Sequence, residues 1–150
     1  MKLKSFAGMD CSLAQALEVV GDRWTLLVLR DIFSGNRRFD GIQKSLGIAR
    51  NILTLRLNHL ISHGVLERRP ADQGRHEYVL TEKGLDLQPA LLSLTHWGDR
   101  YRPGSDGPRR IFVERATGEP IAPMQARSAD GRPLNPREVT DSERLRSSGT

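Results

Sequence analysis

The chain has 150 residues, 37% hydrophobic and 27% charged, with a net charge of +5, enough for one compact domain with its own core and too few for two ordinary ones. No apolar run approaches the roughly 18 to 20 residues that span a bilayer, and the basic start Met1-Lys2-Leu3-Lys4 lacks the apolar segment of a secretory signal, so a cytoplasmic protein is expected. The single cysteine, Cys11, excludes an internal disulfide framework and any multi-cysteine metal site.

In chain order, Leu13, Ala16, Leu17 and Val20 repeat at helical spacing, and Gly21 ends that helix. Asp22 is a good N-cap for a second helix from Arg23 to about Phe33. Trp24, Leu26, Leu27, Val28, Leu29, Ile32 and Phe33 make it apolar nearly all round, so it is expected to be the most buried helix. After Ser34-Gly35-Asn36, a short third helix places Phe39, Ile42 and Leu46 on one face and stops at Gly47. The next helix follows almost at once, from about Ala49 to Ser62, with Leu53, Leu57, Leu60 and Ile61 as its apolar stripe and Gly64 as its stop.

The period then changes. Val65–Arg69 and His76–Leu80 read as two strands joined by the polar tip Pro70–Arg75, which contains a glycine. Thr81 can cap a last helix from about Glu82 to Tyr101, in which Leu87, Ala90, Leu91, Leu94, Trp97 and Tyr101 recur at spacings of three or four. Pro89 predicts a kink or break within it. Beyond Arg102 helical periodicity fades and Pro, Gly, Ser and Arg rise, so residues 10–101 read as the folded domain and 102–150 as an appendage.

The charge is concentrated. From Asn36 to Arg75, eight basic residues (Arg37, Arg38, Lys44, Arg50, Arg56, Arg68, Arg69 and Arg75) stand against Asp40, Glu67 and Asp72 and account for the whole excess. A localised basic segment suits a phosphate-backbone binder, or is a solvated surface rich in arginine. Two short helices joined around Gly47 must cross steeply, which is the helix-turn-helix arrangement. The second of them is free on one side to enter a major groove. Its free face is expected to present Arg50, Asn51, Thr54, Leu55 and Asn58, with Arg56 adding to the charge. Arg can bind guanine edges bidentately, Asn can bind adenine, and Leu or Thr can meet a thymine methyl. The hairpin would be a wing, with Arg75 placed for backbone or minor-groove contact.

At Cys11, Val20-Gly21-Asp22-Arg23-Trp24-Thr25-Leu26-Leu27-Val28-Leu29-Arg30, Gly35-Asn36-Arg37-Arg38-Phe39, Gly47-Ile48, Leu53–Leu57, Glu77–Gly84 and His96-Trp97-Gly98, the chain resembles the HxlR-type winged helix-turn-helix regulators, relatives of the MarR group. The resemblance implies a mainly α fold with a small β-hairpin and a homodimer paired through the first and last helices of the domain. Each recognition helix would read half of a near-palindromic operator in double-stranded DNA, most often for repression. Arg37 and Arg38 join the DNA-binding candidates through the Gly35–Phe39 match.

Two departures stand out. The recognition helix opens on Ala49 where the family commonly has Ser or Thr, so a hydroxyl cap worth about 1 kcal/mol is missing. The tail is similar to a zinc-ribbon-like extension of some relatives but holds Thr117, Arg127 and Asp130 where paired cysteines would sit, so no zinc site and no other cofactor is expected. Two or three short strands around Arg110–Val113 and Pro120–Gln125, then disorder near the end, are expected of it.

Cys11 is open to two readings: a redox or electrophile sensor, as the resemblance implies for some members, or a small, partly buried residue packing at the dimer interface. Trp24 and Trp97 are likewise open to lining an effector pocket or to core and interface packing. His59 and His63, four apart on one helix, have chelating spacing but no evident third ligand. No phosphate-binding glycine loop, nucleophile elbow or His-Glu-x-x-His pattern suggests an enzyme. The alternative to a DNA-binding regulator is a winged-helix protein-interaction module, which would carry an apolar or acidic recognition face.

Overall fold

The structure is a computed structural model that describes residues 4–147. Met1–Leu3, in the basic start, and Ser148–Thr150, within the expected disordered end, lie outside the described residues. The chain divides into two compact units, residues 1–91 and residues 92–150.

The first unit is a winged helix-turn-helix. Helix α1 spans Ser12–Val20, and the Gly21 amide donates to Leu17 O at its end. Helix α2, expected from Arg23, is regular only over Thr25–Phe33. Asp22 nevertheless caps it: its carboxylate accepts from the Trp24 amide (2.8 Å), the Thr25 amide (3.1 Å) and the Thr25 hydroxyl. Thr25, Val28, Leu29, Asp31 and Ile32 are buried on this helix, whereas Leu27, expected inside, is exposed. Asp31 is tolerated in the interior because Arg30 (2.7 Å) and the Asn36 amide group (3.1 Å) donate to its two oxygens.

Helix α3, Phe39–Leu46, ends on Gly47 at φ +63°, a left-handed conformation that costs a side chain steric strain and lets the chain double back. Helix α4 follows over Arg50–Ser62. Its N-cap, Ala49, provides no side-chain hydrogen bond, so the missing hydroxyl is not replaced by its own side chain. Leu53, Leu57 and Leu60 enter a core shared with Val28, Leu29, Ile32, Ile42, Ile48, Val65 and Leu66.

Strands β1 (Leu66–Pro70) and β2 (His76–Leu80) pair antiparallel, from Leu66 opposite Leu80 to Pro70 opposite His76. A 3-10 turn over Asp72–Gly74 closes the tip, one residue narrower at its start than expected because Pro70 still pairs. The Tyr78 amide of β2 donates to Arg37 O (2.8 Å), tying the wing to the α2–α3 loop.

The long final helix expected from the sequence is two. Helix α5, Glu82–Leu85, is capped by Thr81, whose hydroxyl accepts from the Gly84 amide. Helix α6, Gln88–Tyr101, carries Pro89 in its first turn, where the missing N–H has no intrahelical partner to lose. Gly84 is buried with no room for a side chain, since a Cβ there would lie 2.3 Å from Val65 O.

In the second unit the strands expected around Arg110–Val113 and Pro120–Gln125 reduce to a single bridge, Val113 with Pro120, and further single bridges join Gly104 with Gly107 and Arg127 with Pro133. Turn residues interrupt pairing before a ladder can grow. Near the end, where disorder was expected, a 3-10 turn at Pro136–Glu138 is fixed by an Asn135–Glu138 capping box, and helix α7 covers Ser142–Ser147. Among the described residues no helix is long and apolar enough to cross a membrane.

The close approach at Gly84 makes a direct prediction. Val65 O also accepts from the Thr81 amide and hydroxyl, so it cannot move without breaking the wing's return. Gly84→Ala should destabilise the protein by about 1–3 kcal/mol in urea unfolding; a midpoint equal to the wild type's would show that the strand–helix junction yields freely.

Candidate nucleic-acid interface

The local sequence of α4 sorts its residues by face. Arg50, Asn51, Thr54, Leu55 and Asn58 are exposed, while Leu53, Leu57 and Leu60 are buried. Asn51, Thr54, Leu55 and Asn58 lie opposite the leucines at the roughly 100° advance per residue, so burying one set leaves the other outward, and Arg50 is exposed as the first residue of the helix. The Thr54 hydroxyl donates to Arg50 O (2.9 Å), so it is occupied within its own helix. Leu55 is 55% exposed, a branched apolar side chain held in water in the middle of a polar face.

Beside the start of α4 lies a groove of about 810 Å³ between the wing and the α2–α3 loop. Arg37, Arg38, Arg50, Arg68 and Arg75 line it, with His76, Tyr78, Asp40 and Glu77. Three separate backbone segments bring these arginines together, and the bond from the Tyr78 amide to Arg37 O fixes two of the segments side by side. Arg50 lies with its guanidinium carbon 4.7 Å from the Phe39 ring centroid and its Nη1 3.7 Å from Asp40. Both charged side chains are largely exposed, so this interaction is weak and a phosphate or base can replace it.

Arg68 belongs to this groove, and nothing in the sequence beyond its charge singles it out. Strand alternation separates it from its neighbour: Arg69 donates to Glu67 on its own strand (2.9 Å), while Arg68 Nη2 lies 3.2 Å from His76 Nδ1. The period-2 pattern of Val65–Arg69 could have shown that only one of the two arginines shares the face of Tyr78, its cross-strand partner.

Arg56 departs from the sequence expectation. It is not on the face of Asn51 and Asn58 but turns to the α1–α2 corner, where Nη1 lies 3.1 Å from Asp22 Oδ2. Burial pushes the Asp22 carboxyl up, but the hydrogen bonds from Thr25 and the Trp24 amide, together with Arg56, outweigh it and hold it below the ordinary carboxylate value.

None of the remaining candidates lines this groove. Cys11 is the residue preceding α1, and in the single chain it is exposed rather than partly buried. Trp24 is half-buried and packs against the core, with the Arg23 guanidinium 5.5 Å from its ring. Trp97 is 59% exposed and stacks at a tilt on Tyr101, 5.3 Å between centroids. His59 Nε2 lies 3.1 Å from both Glu18 O and Val19 O, so that nitrogen serves the fold.

Comparison with known proteins agrees with this architecture. Residues 19–106 match the HxlR-like helix-turn-helix family. The chain is 43% identical over 131 residues to the uncharacterized HTH-type transcriptional regulator Rv3095 of Mycobacterium tuberculosis, covering 86% of this chain and 83% of that protein. It is similar to the solved structure of PA1607, with a TM-score of 0.84 and 41% identity over 93% of this chain and 99% of that one. It is also similar to the redox regulator HypR in its oxidized form, with a TM-score of 0.58 and 30% identity over 61% of this chain and 98% of that one. With its helix-turn-helix, wing and matched length, the chain belongs to the HxlR-like helix-turn-helix family and has the fold of a winged-helix transcription regulator.

Proposed function

We propose that this protein regulates transcription, most simply as a cytoplasmic repressor, by binding a near-palindromic operator in double-stranded DNA as a homodimer through residues 10–101. The observation that carries the reading is the continuity of two surfaces. The exposed face of α4 has donors and apolar groups suited to base edges, with no acidic residue from Ala49 to Ser62. It runs into the arginine groove, suited to phosphates. A winged-helix interaction module would be expected to carry an apolar or acidic face there instead. In the proposed complex α4 lies in the major groove and the wing, about Pro70–Arg75, follows the backbone or minor groove.

The assignment separates reading from anchoring. Arg50→Ala or Asn51→Ala should lower the ratio of specific to non-specific affinity, at about 1–3 kcal/mol per half-site for each bidentate base interaction removed. Arg68→Ala and Arg75→Ala should weaken all duplexes alike and flatten the plot of log K against log salt by about one unit for each phosphate no longer neutralised. Titrating wild type and variants on operator and scrambled duplexes checks both. A wild-type slope near zero, or no duplex binding, would favour the interaction module.

Support for the homodimer is the apolar surface each terminal helix leaves open: Leu13 and Leu17 on α1, and Leu94, Trp97 and Tyr101 on α6. Sedimentation should show a species near twice 16.8 kDa, and Trp97→Glu should shift it towards the monomer. A wild-type monomer at micromolar concentration would contradict the assignment.

A second reading concerns regulation. Cys11 is an exposed thiol, and the chain resembles a redox regulator whose structure is solved in an oxidized form. On this reading an electrophile or oxidant modifies Cys11, alone or by joining two chains through a disulfide. Treatment with diamide should change operator affinity in the wild type and leave Cys11→Ser unaffected. An equal response in both proteins would remove Cys11 from the switch.

A further inference from the structure

The tie between α4 and the α1–α2 corner has a directional character that the core lacks. Leu53, Leu57 and Leu60 set how deeply α4 sits and which face turns outward, but apolar contact is non-directional and resists a small rotation about the helix axis only weakly. At the N-terminus, which carries Arg50 and Asn51, Ala49 supplies no cap. The flank is held differently. Arg56 reaches Asp22 at 3.1 Å, with side chains 29% and 20% exposed, and one turn later His59 Nε2 meets the carbonyls of Glu18 and Val19 in the last turn of α1.

Asp22 is a rigid partner. Two backbone amides and the hydroxyl of the fully buried Thr25 fix its carboxylate before Arg56 is considered. A guanidinium directed at a fixed carboxylate therefore defines the rotation and axial position of α4. Arg56 has no place on the outward face, so its charge is committed to the protein.

We propose that Arg56 is a positioning residue for DNA reading: paired with Asp22, it sets the orientation of the α4 face and so the specificity of binding, without touching DNA. This rests on α4 being the recognition helix. Without the pair the helix rotates slightly, which misaligns bidentate interactions made by Arg50 and Asn51 while phosphate interactions from the wing adapt.

The test uses the full-length protein and duplexes that the wild type selects from a random pool, compared with scrambled duplexes across a salt series. Arg56→Gln should keep the far-ultraviolet spectrum, lower the specific-to-non-specific ratio by about tenfold, and leave the salt slope unchanged. Asp22→Asn keeps an acceptor for the Trp24 and Thr25 amides but loses the ion pair; it should reproduce the effect, and the double variant should be no worse than either single one. A salt slope flattened by about one unit in Arg56→Gln would mean that Arg56 binds phosphate, and would overturn the proposal. Unchanged or tighter binding by Asp22→Asn would overturn it too, since it would show Arg56 acting freely. A wild type that selects no sequence would instead overturn the reading of α4 as a recognition helix.

Discussion

The burial of one face of α4 organises the rest of this domain. Leu53, Leu57 and Leu60 are each at most 1% exposed, and burying a leucine is worth about 1.5–3 kcal/mol. They share their core with residues of α2, α3 and β1 and with Ile48 of the turn. With that face committed, Asn51, Thr54, Leu55 and Asn58 must face water. Nothing in the stability of the monomer dictates their identity, so they are available for recognition chemistry. Gly47 makes the arrangement possible by reversing the chain between α3 and α4 in a backbone conformation that a side chain would oppose.

The wing solves a different problem, the collection of like charges. Five guanidinium groups around one groove repel each other, and a single helix or strand presenting them all would carry that repulsion along its own backbone. Here they come from the α2–α3 loop, the first residue of α4 and both sides of the hairpin. Each segment is anchored by uncharged contacts: the β1–β2 ladder, the Tyr78-to-Arg37 backbone bond, and the apolar core below. The charges stay exposed, where water and salt screen them. The net result is a surface whose cost to folding is small and whose attraction for phosphates on the proposed reading is large.

Asp22 shows how one residue can serve two scales. Locally it satisfies amides at the start of α2, a role that its position after Gly21 already suggests. Across the fold it receives Arg56 from α4. The second role depends on the first, because a carboxylate already oriented by three short-range donors loses little freedom in pairing with a distant cation.

The sequence alone determined what depends on neighbours within a few positions. Helical spacing identified the buried and open faces of α4, Gly47 its preceding turn, Thr81 the cap of α5, and Pro89 the break that separates α5 from α6. Helix ends, turns and faces follow from local sterics and from the 3.6-residue period, which are properties of short segments. Tertiary structure decided what depends on how segments cross. It diverted Arg56 from the reading face to Asp22, far back in the chain at the α1–α2 corner. It brought Arg68 into the groove with Arg37 and Arg50, and it placed the carboxylate of Asp31 inside, answered by Arg30 and Asn36. The same limit explains the tail, where spacing marked the sites of Val113 and Pro120 but only the folded chain shows that they meet in one bridge and no ladder. A side chain's face is set by its own helix or strand; its partner is set by whichever segment the core brings alongside.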